Sequence, residues 1–161
     1  MPAITDPHTG LISFQKALLS GTIKPKRCKT QRELYFLRDK PTPDTIRLTY
    51  AMIVGRQVKA MATYIEAEPN EGKRCFGVGY TVAIPFRGQG LAKAVLSSSL
   101  KEFKGLLEAE LSEPGFYLEA VIGVDNERSH RVAKEIISQE PDEISDSESG
   151  LPALHYITLV T

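Results

Sequence analysis

The stretch Arg87-Gly88-Gln89-Gly90-Leu91-Ala92 stands where one hydrophobic periodicity gives way to another. Before it, Phe76, Val78, Tyr80, Val82 and Ile84 recur at every second residue, which predicts a strand with one buried face. After it, Ala92, Leu96, Leu100, Phe103 and Leu107 recur at three or four, which predicts a helix with one apolar stripe. Two glycines at such a junction leave backbone amides uncovered at a helix start, where unpaired N–H donors and partial positive charge gather. The ligand chemistry that suits such an end is a phosphate, so the stretch predicts an anion cradle.

Arg87-x-x-Gly90-x-Ala92 resembles the acetyl-CoA pyrophosphate loop of the GCN5-related N-acetyltransferases (GNAT), which reads Arg or Gln, two free positions, Gly, one free position, then Gly or Ala. The preceding Gly79-Tyr80-Thr81-Val82-Ala83-Ile84-Pro85-Phe86 is similar to that family's strand before the loop. Downstream, Leu118-Glu119-Ala120-Val121 leads to Asn126-x-x-Ser129 and a helix holding Val132, Ala133 and Lys134, similar to the family's next strand–helix unit. The close resemblance covers about residues 76 to 138, and the flanks match only in element order. It implies an α/β chain with the GNAT (acyl-CoA N-acyltransferase) fold: a mixed, mostly antiparallel sheet with a central splayed strand pair and helices on both faces. It also implies an enzyme that moves an acetyl group from acetyl-CoA directly to a primary amine, on a small molecule or a peptide, through a ternary complex.

The resemblance carries over to particular positions. The main chain of Val82, Ala83 and Ile84 would pair with the pantetheine arm as though it were another strand. Arg87, Gly88, Gln89, Gly90, Leu91 and Ala92 would hold the pyrophosphate, with Arg87 acting through its backbone and stem more than its charge. Pro85 has no N–H and is expected to keep Ile84 extended, ending the strand just before the phosphates. Asn126 is a favoured helix N-cap and, by resemblance, also lies near pantetheine. Ser129 follows one turn later, where its hydroxyl could approach the cofactor sulfur. The family's usual proton donor, a tyrosine seven residues after the Asn, is Ala133 here. The acid is therefore unassigned, with Ser129, Tyr156 or a water as substitutes.

For the base, Glu119 is a candidate, as are Glu66 and Tyr64 on the earlier strand. Alternation puts Glu119 on the face opposite Leu118 and Ala120, pointing to the cleft or to solvent. His130, between Arg128 and Arg131, reads as part of a solvated helix face. His155 alternates with Tyr156, and one of the two faces the core. Neither histidine has a spacing that implies a metal or a nucleophilic triad, so no metal is expected.

Around this centre the elements follow from pattern. Residues 1–10 read as loose and 11–20 as a helix stopped at Gly21. Thr30 and Glu33 have capping-box spacing, which predicts a second helix over 31–39, halted by Pro41 and Pro43. Ile46, Leu48, Tyr50 and Met52 alternate as a strand, and Gly55-Arg56 turns the chain into an antiparallel partner over 57–66. Residues 68–72 form a second turn. A strand over 116–124 and a helix over about 127–138 follow. The acidic stretch from Glu140 to Gly150 reads as an exposed loop or as one short edge strand with gatekeeping charges. Residues 154–160 form the last strand. There is no repeat and no linker, so residues 1–161 read as a single domain.

Composition bounds the rest. The 161 residues are 42% hydrophobic and 25% charged, ordinary values for one globular domain. Twenty basic and twenty acidic side chains cancel, so no global field favours nucleic acid or an anionic membrane. Lys24, Lys26, Arg27, Lys29 and Arg32 form a local cluster, read as a solvated face or a rim for an acidic ligand such as the cofactor's ribose phosphate. Cys28 and Cys75 make no disulfide framework and read as reduced thiols. No signal peptide or membrane-spanning run is present in the sequence, which points to the cytoplasm. Two rival readings are a catalytically weak CoA-binding sensor and an acetyltransferase acting on charged tRNA. Zero net charge and few aromatics near the basic cluster argue against the second. Homodimers are common among similar proteins, and nothing in these residues decides the matter.

Overall fold

A computed structural model describes residues 7–110, 115–146 and 149–161. One eight-stranded sheet organises them. Its strands are β1 (Lys26–Arg27), β2 (Leu34–Thr42), β3 (Thr45–Val54), β4 (Gln57–Asn70), β5 (Lys73–Val82), β6 (Phe116–Gly123), β7 (Asp142–Ser145) and β8 (Pro152–Val160). Their spatial order is β1-β2-β3-β4-β5-β6-β8-β7, antiparallel throughout except for β5 against β6. Helix α1 (Pro7–Ser20) covers one face, while α2 (Leu91–Glu108) and α3 (Glu127–Ile136) cover the other. Alternation along β3 separates the two cores: Leu48, Tyr50 and Met52 face α2, and Ala51 and Ile53 face α1.

The predicted first helix is present and begins earlier, at Pro7, so residues 7–10 are helical rather than loose. Leu11, Phe14 and Leu18 form its buried stripe. Gly21, at φ +76°, ends it, with its N–H on the Leu18 carbonyl and that of Thr22 on Ala17.

The predicted helix over 31–39 is not there; Leu34–Thr42 is a strand between β1 and β3. The apolar run Leu34-Tyr35-Phe36-Leu37 serves both faces of a sheet covered on both sides. Leu34 and Phe36 enter the α2 core, and Tyr35 and Leu37 enter the α1 core. Thr30 does not cap a helix: its N–H and hydroxyl both bond to the Glu102 carboxylate of α2. Pro41 lies where the β2–β3 register slips between Asp39 and Thr42, a place where the missing N–H breaks no ladder.

Gly55 and Arg56, both at positive φ, close the β3–β4 hairpin as expected. The second turn shrinks to Glu71-Gly72, because β4 runs on to Asn70. On α2 the buried residues include Leu96, Phe103 and Leu107, joined by Val95 and Ser99. Ser99 shares a 2.7 Å hydrogen bond with the Tyr64 hydroxyl, both groups buried. Tyr64→Phe removes that bond yet leaves the Ser99 hydroxyl on the Leu96 carbonyl. A loss of about 1 kcal/mol is expected, read as a drop of roughly 2–4 °C in Tm.

At the far edge the acidic stretch does contain a short strand. Asp142, Glu143 and Ser145 are exposed on β7, and Ile144 is half-buried. Ser147 and Glu148 lie outside the described residues.

Candidate active site

The site begins where two parallel strands part. β5 and β6 are paired at Cys75–Tyr117, Phe76–Leu118 and Gly77–Glu119, and no further. Beyond that apex β5 stays with β4 as far as Val82, and β6 stays with β8 as far as Gly123. The Ala83 N–H donates to the Lys59 carbonyl at 2.8 Å, which makes Val82 and Ala60 a non-hydrogen-bonded pair. By alternation the peptide groups of Tyr80 and Val82 therefore turn away from β4 into the opening. This is an unpaired strand edge inside a sheet, able to receive an extended chain with amides and carbonyls of its own.

Two expected edge residues are corrected. The Ala83 amide is spent on Lys59. Ile84 is not extended: with Pro85 and Phe86 it forms a single 3-10 turn, and it is 62% exposed. Pro85 ends the ladder as expected, but by turning the chain. The turn is closed by Phe86 N–H on Ala83 O and Arg87 N–H on Ile84 O.

Arg87 then reaches back, its Nε donating to the Val82 carbonyl at 3.1 Å, so its side chain braces the loop. Gly88 and Gly90 sit at φ +80° and +75°, a region that side chains disfavour. The first intrahelical bond of α2 runs from Ala94 N–H to Gly90 O, so the amides of Leu91, Ala92 and Lys93 precede it. No side chain caps that end. Gln89 and its glycine neighbours are exposed. The loop thus presents free donors and the positive end of an 18-residue helix just past the open edge.

Asn126 caps α3, its Oδ1 accepting from the Ser129 N–H at 3.2 Å. The Tyr80 hydroxyl donates to the Ser129 carbonyl at 2.6 Å, tying β5 to α3 across the opening. His130 is buried rather than solvated, 8% exposed. Its Nε2 lies 2.8 Å from the Gly123 carbonyl and its Nδ1 2.8 Å from the Tyr156 hydroxyl. A carbonyl only accepts, so Nε2 donates to Gly123, and Nδ1 shares the second bond with the Tyr156 hydroxyl. The spacing His130, Ala133, Ile137 is the inward stripe of α3, the signal that the flanking arginines obscured. Tyr156 is wholly buried on that same face, and its hydroxyl is committed to His130, which removes it as a proton donor.

Tyr64 and Glu66 also leave the list of bases. Tyr64 is buried against α2, and burial pushes its hydroxyl far up. Glu66 shares the Tyr64 face by alternation and is held by Arg74 through two bonds of 2.8 and 3.1 Å.

On the α1 face a cleft of about 1600 Å³ opens above the apex. Thr49, Thr63, Gly77 and Gly79 contribute to its lining on the sheet. Gly79 lets α1 come close, since a Cβ would stand 3.3 Å from the Pro7 ring and push it back by a few tenths of an ångström. A glycine inside a strand pattern, as at Gly79, is the sequence signal of such a close approach. Asp39 and Arg47 stand together in the cleft, joined by paired bonds of 2.9 and 2.5 Å. Glu119, Asn126 and Ser129 also border it. Glu119 therefore faces the cleft and not bulk solvent. Its carboxylate lies 2.7 Å from His155 Nε2, and the bond raises the imidazole pKa above its ordinary 6.5, with Asp142 adding to the effect.

The basic cluster near β1 is exposed throughout, and Cys28 and Cys75 are free thiols pushed up to about 11 by burial. Among the described residues no group of three His, Cys, Asp or Glu could hold a metal, and no helix is long and apolar enough to cross a membrane.

No family model matches the sequence, and no curated protein matches it. Solved structures do. RimL, a ribosomal L7/L12 alpha-N-protein acetyltransferase in complex with coenzyme A, aligns at TM-score 0.54 and 16% identity over 71% of this chain. The aligned region spans 62% of RimL's length. Spermidine N-acetyltransferase from Vibrio cholerae, in complex with CoA and spermine, aligns at 0.53 and 14%, covering 73% of this chain and 66% of its own. Ribosomal-protein-alanine N-acetyltransferase from Brucella melitensis aligns at 0.52 and 16%, covering 98% of this chain and 81% of its own. These likenesses establish the fold as that of the GCN5-related N-acetyltransferases.

Proposed function

We propose that this chain is an acetyl-CoA-dependent N-acetyltransferase, working in the cytoplasm as one domain, that acetylates a primary amine directly. One observation carries the reading: the edge of β5 at Tyr80 and Val82, parted from β6 and touched only by Arg87 Nε at the Val82 carbonyl, runs into an uncapped helix start preceded by Gly88 and Gly90. A pantetheine arm laid along that edge brings its diphosphate to Gly88, Gln89, Gly90, Leu91 and Ala92. The thioester then lies toward the apex at Gly77 and Glu119, about 17 Å back along β5 at 3.3 Å per residue. Arg87 shapes the loop, and Asn126 flanks the arm from α3. An edge amide near the apex faces the thioester carbonyl and stabilises the oxyanion formed on attack, worth roughly 3–4 kcal/mol in comparable sites.

The amine enters from the α1 face, where Glu119 is the base. One amine proton passes to Glu119 and on to solvent, and the nitrogen bonds the thioester carbon. The carbon–sulfur bond breaks, and the thiolate takes the second proton through Ser129 or water. Asp39 in the cleft is already paired with Arg47, and Asp125 and Glu127 at its border are offset by Arg128 and Arg131, so it offers little excess negative field to a polycation. An α-amine of a peptide, pKa about 7.7–8.0, also needs far less help to become neutral than a lysine-like amine at about 10.4. Both points favour a peptide-type α-amine as acceptor.

Titration calorimetry with CoA should register binding, and thiol release from acetyl-CoA should be faster with tri-alanine amide than with spermidine. Absence of heat with CoA sinks the proposal. Tight CoA binding with no turnover over an amine panel favours the sensor reading instead.

A further inference from the structure

The acetyltransferase reading leaves one cleft-facing group with an unexplained partner. Glu119, 25% exposed, borders the cleft, while His155, 22% exposed, sits behind it at 2.7 Å. We infer that His155 is a positioning residue that sets the pH at which Glu119 works: protonated, it clamps the carboxylate in an ion pair; neutral, it releases Glu119 to the acceptor amine. This rests on the acetyltransferase reading given above.

The ladder makes the arrangement specific. Val121 of β6 stands opposite His155 of β8, so Glu119, two residues back on the same face, is its diagonal neighbour. Asp142 of β7 stands directly opposite His155 on the other side. The imidazole is therefore held between carboxylates from both adjoining strands, Glu119 and Asp142, and both favour its charged form. On Glu119 the bearing groups are His155 and the Cys75 thiol of β5, which stays protonated with a pKa of about 11. While the imidazole is charged, the charge-assisted bond holds the carboxylate against it, and an incoming amine must compete with that contact. When the imidazole loses its extra proton, Nε2–H still donates to Glu119 and holds its rotamer, but the opposite charge that competed with the amine is gone. The Glu119 oxygen turned to the cleft then accepts the amine proton. The same bond has a linkage consequence: its contribution to stability is full below about pH 6.5 and fades as pH rises through the folded-state value.

Imidazole NMR titration and the pH profile of kcat test this on the intact chain, using acetyl-CoA with tri-alanine amide or spermidine, whichever is turned over. His155 should titrate above 6.5, and its midpoint should fall in Glu119→Gln. The rising limb of kcat should share the wild-type midpoint and move down by a unit or more in His155→Gln, which keeps a donor to Glu119. At low pH that variant would then retain about tenfold more of its plateau rate than the wild type. A His155 midpoint at or below 6.5, or a limb unmoved in His155→Gln, overturns the role of His155 and leaves acetyl transfer standing. Transfer absent at every pH, with CoA still bound, sinks the acetyltransferase reading and this one with it.

Discussion

Gly90→Val should weaken CoA binding by one to two orders of magnitude while the protein remains folded. Gly90 holds φ +75° at the start of α2, and a Cβ built there meets nothing within 4 Å. The penalty is therefore conformational and not a clash, about 1–2 kcal/mol for an ordinary side chain and more for a β-branched one. The chain relieves it by rotating the peptides on either side, which swings the Gly90 and Leu91 amides out of the cradle. Losing one charge-assisted bond to a diphosphate costs about 1.5–3 kcal/mol, or roughly ten- to a hundredfold in Kd. Gly105→Ala is the control. Gly105 lies on the same helix, has ordinary φ and open space at its Cβ, and its replacement should raise stability by up to about 1 kcal/mol without touching affinity. Calorimetry with CoA and a melt without ligand separate the two effects. A Gly90→Val variant with wild-type Kd would place the diphosphate elsewhere.

That prediction rests on a feature plain in the sequence, because two glycines between a period of two and a period of 3.6 leave few alternatives. Other features were hidden for identifiable reasons. The run Leu34 to Leu37 carries no alternation, since β2 is covered on both faces, and a capping-box spacing nearby supplied a false helix start. The parting of β5 from β6 cannot be read from either strand alone. It depends on the parallel register that ends at Gly77 and Glu119, a contact between residues more than forty apart. The direction of Glu119 follows from the same register, and its tie to His155 from another, so alternation narrowed each to two faces and the sheet chose between them. His130, flanked by arginines, reads as solvated, while Tyr156 is the one of the pair His155 and Tyr156 that faces the core. Each is polar enough to suggest solvent or chemistry, and each satisfies the other's hydrogen bond in the interior. Ala133, where a tyrosine would stand by resemblance, is fully buried, so that place on α3 packs the core.

The largest loss of stability should come from Phe103→Ala. Phe103 is wholly buried at the centre of an aromatic cluster. It stacks on Tyr64 with centroids 4.3 Å apart, and meets Phe76 and Phe116 edge-on at 4.9 and 5.6 Å. Truncation to alanine removes the transfer energy of the ring and leaves a cavity walled by three rigid rings that cannot collapse into it, a loss of about 3–5 kcal/mol. For a domain whose total stability is of order 5–15 kcal/mol, that is a third or more of the whole. At roughly 2–4 °C per kcal/mol for a chain of this size, Tm should fall by about 8–15 °C, with the urea midpoint lowered and the m-value unchanged. The position also bears on function. Phe76 pairs with Leu118 one residue before the apex, and Phe116 opens β6, so Phe103 is the wedge under the two strands where they part. The Gly90 end of α2 is held separately by Val95 and Leu96. Below its melting range Phe103→Ala should therefore keep CoA affinity within a few-fold of wild type yet lose more in kcat, because the apex beside Glu119, where the proposed function puts the chemistry, is less firmly supported. A stability loss under about 1 kcal/mol would mean that α2 does not pack on this sheet through Phe103.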